Sequence, residues 1–172
     1  MDKTVIIDGK PVPLRITGGT LRRYKEQFGV EYYNDNAAAN TLEGNEKTRA
    51  VEAVGFRLIW ALAKTADPKL PDPLTWIGSF GKFPLDEIIS EATGLVNDAL
   101  NCIKISEGTS GRPFTSENLM ASCLLCGLSA NDADNISLGF LINTINEYCR
   151  IRGGKGDENS YRPATQADYD AF

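Results

Sequence analysis

The chain has 172 residues, of which 42% are hydrophobic and 24% are charged, a composition typical of a soluble globular domain. Its net charge of −5 disfavours nonspecific binding to nucleic acid. The sequence has no histidine, so catalytic pairs that use a histidine base and metal sites that contain histidine are excluded. The chain does not open with a basic segment followed by an apolar one, and we expect a cytoplasmic protein without a membrane segment.

The cysteines predict neither a metal site nor redox chemistry. Cys123 and Cys126 have the CxxC spacing, but Cys102 and Cys149 do not form the second close pair that a four-cysteine zinc site needs. Gly127 places the CxxC pair at the end of a predicted helix, where the helix dipole opposes a thiolate. We therefore predict buried, reduced thiols, no bound metal and no cofactor.

The N-terminal segment predicts a β-hairpin over residues 3–17. Asp8 and Gly9 form a turn signal between a β-branched run and a second run in which apolar residues alternate. Pro11 and Pro13 cannot donate ladder hydrogen bonds, so the second strand must lie at an edge. A lone hairpin is marginally stable, and we expect it to pack on helices.

A short helix is predicted next, over residues 20–28. Thr20 is a favourable N-cap after two glycines, and Gly29 is the expected left-handed stop. Arg22 and Arg23 are interpreted as part of a solvated face. This helix is expected to present its apolar residues to the core.

The stretch 46–66 is predicted to be the central helix. Its apolar residues form two opposite stripes, and only a narrow strip with Arg57 and Lys64 separates them on one flank. A helix that is apolar nearly all round must be surrounded by other elements. Pro68 ends it. The two stripes are Val51, Val54, Leu58 and Leu62, and Ala53, Phe56, Trp60 and Ala63.

The segments on either side of this helix are predicted to be mainly loops. Residues 30–45 are polar, with one short helix near 31–39. Residues 67–83 are rich in proline, with one helical turn near 74–78. Three large rings in this second loop are expected to lie on the core, namely Trp76, Phe80 and Phe83.

Further helices are predicted in the second half of the chain. Capping and proline signals set their starts, and their amphipathic patterns set their lengths. They span 84–105, 115–126 and 137–152, with Pro84 as first residue and Thr115 and Ser137 as caps, and a short helix opens at Ser129.

Two residues of the last helix fall outside its apolar stripe, namely Phe140 and Ile151. Phe140 either packs on a neighbouring helix or on the hairpin, or contacts a partner, and we select both residues as candidate partner contacts. The stripe itself comprises Leu138, Leu141, Ile142, Ile145 and Cys149. The predicted fold is mainly α (α+β), a helical bundle-like domain over residues 1–152 with a small N-terminal β-hairpin. Residues 153–172 are predicted to be a flexible polar tail.

No spacing predicts a catalytic site. Asp86 and Glu87 are an adjacent carboxylate pair, but their favourable interaction with a helix N-terminus explains them. Ser110 lies near Arg112 without a base arranged by spacing. The last helix would be the recognition helix of a helix-turn-helix, yet its arginines stand only at its far end, which disfavours DNA binding.

Several short segments carry a resemblance to a known family. At the start of the chain they are IDGKPVPL at residues 7–14 and RITGGTLRRYKEQFG at 15–29. Later segments are GLS at 127–129 and ISLG at 136–139, and the last is ATQADYDAF at 164–172. In this order they resemble the opening, the later pattern and the chain ends of the tail assembly chaperones of long-tailed phages and prophages of Gram-positive bacteria.

The resemblance implies a mostly helical, self-associating protein that is not an enzyme. Members of the family bind the tape-measure protein and keep it soluble until tail tube subunits polymerise around it. Many also exist as a longer form made by ribosomal frameshifting. The implied partners are therefore the tape-measure protein, further copies of the chain and such a longer form. The alternatives are a structural head–tail or tail completion protein, a small enzyme and a DNA-binding protein.

Overall fold

A computed structural model describes residues 2–101 and 115–152 of the chain. Within them the protein has eight helices and one two-stranded antiparallel sheet, which confirms the predicted fold class. The predicted linker 106–114 and tail 153–172 lie outside the described residues. The elements are β1 (Asp2–Ile7), β2 (Lys10–Arg15), α1 (Gly18–Phe28), α2 (Tyr32–Thr41), α3 (Gly44–Ala66), α4 (Pro73–Ile77), α5 (Leu85–Asn101), α6 (Ser116–Leu125), α7 (Ala130–Asn135) and α8 (Leu138–Arg152).

The hairpin forms as predicted and packs against α3 and α5. Asp8 and Gly9 make a two-residue turn with φ values of 52° and 73°, the left-handed backbone that matches the twist of a hairpin. Apolar residues of both strands face the helices, while Pro11 and Pro13 are exposed. Both strands of a two-stranded sheet are edges, so the prolines leave no interior ladder bond unmade.

The C-terminal half of α3 is the centre of the core, as predicted. Leu58, Trp60 and Leu62 are buried, and the helix contacts α1, α2, α5 and β2. Ile59 is fully buried as well, although it belongs to neither predicted stripe. The prediction is wrong for Ala53, which is exposed, because the neighbouring elements do not surround the first turns of α3.

The proline-rich loop lays its rings on the core, which confirms that prediction. Trp76, Phe80 and Phe83 form a cluster with Phe56 of α3, and the ring centroids lie 5.5–6.5 Å apart. Most of these pairs are edge-to-face, the arrangement that the ring quadrupoles favour. The loop is tied to α3 by the Trp60 indole, whose N–H donates to the Pro71 carbonyl at 3.0 Å.

Helix α1 begins two residues earlier than predicted, at Gly18, so Thr20 is not its N-cap. The Thr20 hydroxyl instead accepts from the Thr17 N–H at 3.0 Å and bonds the Thr65 hydroxyl at 3.1 Å. The Gly18 N–H donates to the Ile136 carbonyl at 3.3 Å. The two glycines therefore form the first turn of α1, against which the α7–α8 connection packs.

Two smaller predictions also differ from the structure. Residues 40–45 are mostly helical, because α2 continues to Thr41 and α3 begins at Gly44. Pro84 is the residue before α5 rather than its first residue, since the Pro84 carbonyl accepts from the Ile88 N–H at 3.2 Å.

We expect Gly18→Ala to lower the free energy of unfolding by about 1–3 kcal/mol through overpacking. A Cβ at Gly18 would lie 2.4 Å from Leu141 Cδ2 and 2.9 Å from the Ala133 carbonyl oxygen. Gly94→Ala in α5 is the matched control, because its Cβ would meet nothing within 4 Å. That change should stabilise the helix by roughly 0.5–1 kcal/mol. Urea unfolding measures both, and equal stability of the two variants would contradict the close approach at Gly18.

Candidate functional site

The residues predicted to contact a partner lie on the surface of α8. Phe140 and Ile151 are each 66% exposed. They are eleven positions apart, so they share one face of the helix and are separated by roughly 16 Å along its axis. The structure thus leaves both side chains accessible, without bringing them together.

Helix α6, which packs against α8, exposes two further large apolar side chains. Leu124 and Leu125 are 60% and 75% exposed near its C-terminus. The sequence prediction did not single them out, although two leucines beside a helix-ending glycine were a visible signal. We call Leu124, Leu125, Phe140 and Ile151 the α6–α8 apolar set.

A buried carboxylate joins α6 to the first part of the chain. Glu31 is buried and accepts from the Ser116 N–H at 3.2 Å and from the Ser116 hydroxyl at 2.9 Å, at the start of α6. Lys25 pairs with Glu31 at 2.9 Å and also with Glu117. The hydrogen bond from Lys25 lowers the pKa of Glu117 to about 2. A carboxylate is stabilised at a helix N-terminus, so this cluster positions α6.

A second polar cluster joins the first three helices. The Tyr24 hydroxyl and Arg57 Nη1 both donate to Asp35 Oδ2, the latter at 2.7 Å. Burial raises the pKa of Tyr24, so the phenol keeps the proton that it donates. The Arg57 guanidinium also lies 5.7 Å from the centre of the Phe28 ring. Arg57, which was predicted to lie in a charged strip on α3, therefore contacts other helices of the same chain.

The interpretation of Arg22 and Arg23 as a solvated face is wrong. Both donate to Asp134 of α7, at 2.9 Å and 3.0 Å. Gly19 makes room for this contact, since a Cβ there would lie 1.9 Å from Asp134 Oδ1. In all three clusters a carboxylate accepts a charge-assisted hydrogen bond from a lysine or an arginine of another segment, which fixes the two segments relative to each other.

The weak catalytic pairs considered from sequence acquire no support. Asp86 and Glu87 are exposed in the first turn of α5, where the helix dipole favours them. Ser110 and Arg112 lie outside the described residues. Among residues 2–101 and 115–152, no group of three or more Cys, Asp and Glu side chains is arranged to hold a metal ion.

The prediction of buried thiols holds for only part of the cysteines. Cys123 is buried and Cys126 half-buried, and loss of hydration raises the pKa of both thiols. Cys149 is exposed, which contradicts the prediction, because the apolar stripe of α8 runs beyond the edge of the core after Ile145. Cys102 lies outside the described residues.

A groove lies between the N-terminal parts of α3 and α5. Its volume is about 360 Å³. The apolar lining comes from Val51 of α3 and Ile89 of α5, both half-buried. The polar lining consists of Lys47, Thr48, Glu52 and Asp86. An apolar floor with charged walls is the surface that an amphipathic segment covers.

None of the helices that the structure describes is long and apolar enough to cross a membrane. No family model matches the chain, and no curated protein or solved structure is significantly similar to it.

Proposed function

We propose that the protein is a tail assembly chaperone of a long-tailed phage or prophage. In this role it binds the tape-measure protein in the host cytoplasm and keeps it soluble until the tail tube forms. The observation that carries the proposal is the α6–α8 apolar set, four large side chains that are each at least 60% exposed on two adjacent helices. The resemblance of the segments at both ends of the chain supplies the identity of the partner.

The physical argument is that such a partner needs an apolar surface to bind. In the family, the tape-measure protein is a very long helix whose apolar residues stay exposed until the tube covers them. An amphipathic helix binds by laying its apolar face on exposed apolar side chains of a folded scaffold. The Glu31 and Asp134 clusters attach α6 and α7 to the first part of the chain, and the Asp35 cluster joins α1, α2 and α3. These contacts support a folded scaffold for the exposed apolar side chains.

Co-expression with a helical fragment of the tape-measure protein from the same phage genome tests the proposal. A truncation ending at Arg152 should keep the fragment soluble, because the helical body rather than the 20-residue polar tail offers the apolar surface. Leu125→Glu combined with Phe140→Glu should abolish this effect. Leu74→Glu is the control, since Leu74 is 79% exposed on a different helix. A folded truncation that leaves the fragment insoluble would assign binding to the tail and contradict this division.

We also expect self-association through α8. Sedimentation of the full chain should show oligomers whose population rises with protein concentration, and Phe140→Glu should weaken them because it places a charge among apolar contacts. Leu74→Glu should leave the oligomers unchanged. A strict monomer at high concentration would contradict this prediction.

The alternative function, a structural head–tail or tail completion protein, predicts a different location. A structural component remains in purified particles, whereas an assembly chaperone is absent from them. Mass spectrometry of purified particles therefore separates the two functions. A tape-measure gene downstream of this gene would also support the chaperone.

A further inference from the structure

The groove between α3 and α5 lies beside a close contact of the two helices. At that point Ile89 lies directly on Gly55, since a Cβ at Gly55 would be 2.5 Å from Ile89 Cδ1. The groove occupies the side of this contact toward the N-terminus of α3, where residues 44–49 are exposed. Because these first residues of α3 are exposed, the described part of the chain leaves this side of the groove open.

The charges in the groove differ from those of the clusters that hold the fold together. Glu31, Asp35 and Asp134 are each paired with a lysine or an arginine. Within the described part of the chain, by contrast, no hydrogen bond or ion pair engages the carboxylates of Glu52 and Asp86. Glu52 lies on the α3 wall and Asp86 on the α5 wall, with the apolar floor between them. The only positive charge in the lining is Lys47, so the groove is net negative.

We propose that this groove binds an amphipathic helix that carries basic residues on both flanks of its apolar stripe. The apolar stripe contacts Val51 and Ile89, and the basic flanks pair with Glu52 and Asp86. Charge complementarity favours such an occupant over the chain's own C-terminal segment, in which Asp168 and Asp170 accompany the aromatic residues. This inference rests on the proposed function. The occupant is then a helical segment of the tape-measure protein that carries basic residues on both sides of its apolar stripe.

Two synthetic helical peptides of 18 residues provide the test. Both carry leucines at positions i, i+3, i+4 and i+7, and they differ only in having lysine or glutamate at the flanking positions. Fluorescence anisotropy with the full chain should show that the lysine peptide binds about tenfold or more tightly, with an affinity that falls as salt is raised. Equal affinity for the two peptides would overturn the inference.

A pair of neighbouring substitutions locates the binding. Asp86→Lys should lower the affinity for the lysine peptide by about fivefold or more, because it reverses the charge of the α5 wall. Glu87→Lys is the matched control, since Glu87 lies in the same first turn but does not line the groove. Both variants lose the same favourable interaction with the helix N-terminus, so we expect the two substitutions to lower the stability of the fold by similar amounts. Equal loss of peptide affinity in the two variants would overturn the inference.

Co-expression separates this inference from the proposed function. If Asp86→Lys loses both peptide binding and the ability to keep the tape-measure fragment soluble, while Glu87→Lys retains both, the inference is supported. If Asp86→Lys loses the peptide yet keeps the fragment soluble, the groove is not the tape-measure site, and the proposed function stands without it. If the wild-type chain leaves the fragment insoluble but binds the lysine peptide through Asp86, the proposed function fails and the helix-binding groove remains.

Discussion

Leu58→Ala is expected to lower the free energy of unfolding by about 2–5 kcal/mol, the range for a large-to-small change in a close-packed core. Leu58 is buried in α3, the helix that contacts α1, α2, α5 and β2. The change removes apolar contacts and leaves a cavity that the close-packed surroundings fill only in part. Unfolding in urea followed by circular dichroism gives the midpoint and the slope.

The control for this prediction is Leu74→Ala. Leu74 is 79% exposed, so the same substitution there should change stability by no more than about 0.5 kcal/mol. A Leu58→Ala variant with the wild-type midpoint would contradict the placement of α3 at the centre of the core.

Glu31→Ala is expected to lower the free energy of unfolding by roughly 2–3 kcal/mol, less than for a fully buried ion pair because Lys25 reaches solvent. The change leaves the buried Ser116 N–H without its acceptor. It also removes the nearer acceptor of the Ser116 hydroxyl and one partner of Lys25. The loss should concentrate at the start of α6. Hydrogen exchange should therefore show faster exchange in the first turn of α6 than elsewhere in the variant.

Glu117→Ala is the control for this second prediction. Glu117 also pairs with Lys25, but its side chain is 64% exposed and does not bond the Ser116 N–H. Solvent screens an exposed ion pair, so the urea unfolding midpoint of this variant should remain close to that of the wild type. If the two substitutions destabilise the protein equally, the ion pairs of Lys25 hold α6 in place, and the hydrogen bonds from Ser116 to Glu31 do not.

Local signals predicted most of the element boundaries correctly. The Asp8–Gly9 turn, the left-handed Gly29 and the Thr115 cap act on neighbouring backbone groups. Their physical effect depends only on residues a few positions away, so these turns and helix ends can be predicted from the sequence alone. The buried half of α3 was predictable for the same reason, because helical periodicity depends only on spacing along one helix.

Two of the errors have a common cause, which is a contacting residue that lies far away in the sequence. Arg22 and Arg23 have the pattern of a solvated face, yet Asp134 binds them from more than 110 residues along the chain. Gly18 has the pattern of a strand breaker, yet close packing against Leu141 explains its lack of a side chain. Periodicity carries no information about either contact.

One candidate binding surface could be predicted from the sequence, and the other could not. Phe140 and Ile151 could be selected from the sequence, because their positions off the apolar stripe of α8 depend only on helical geometry. The groove could not be predicted, because Val51 and Glu52 line it only when α5 brings Ile89 and Asp86 beside them.

The sequence by itself thus determined the mainly helical class, the hairpin and the central position of α3, through turn chemistry, capping and periodicity that act within a few residues. Only the tertiary structure decided which charges are internal and which remain open to a partner. Glu31 is buried because Ser116 and Lys25 meet it, whereas Glu52 and Asp86 line an open groove. Burying a charge costs several kcal/mol unless a partner offsets it, and whether that partner is present depends on packing between distant segments.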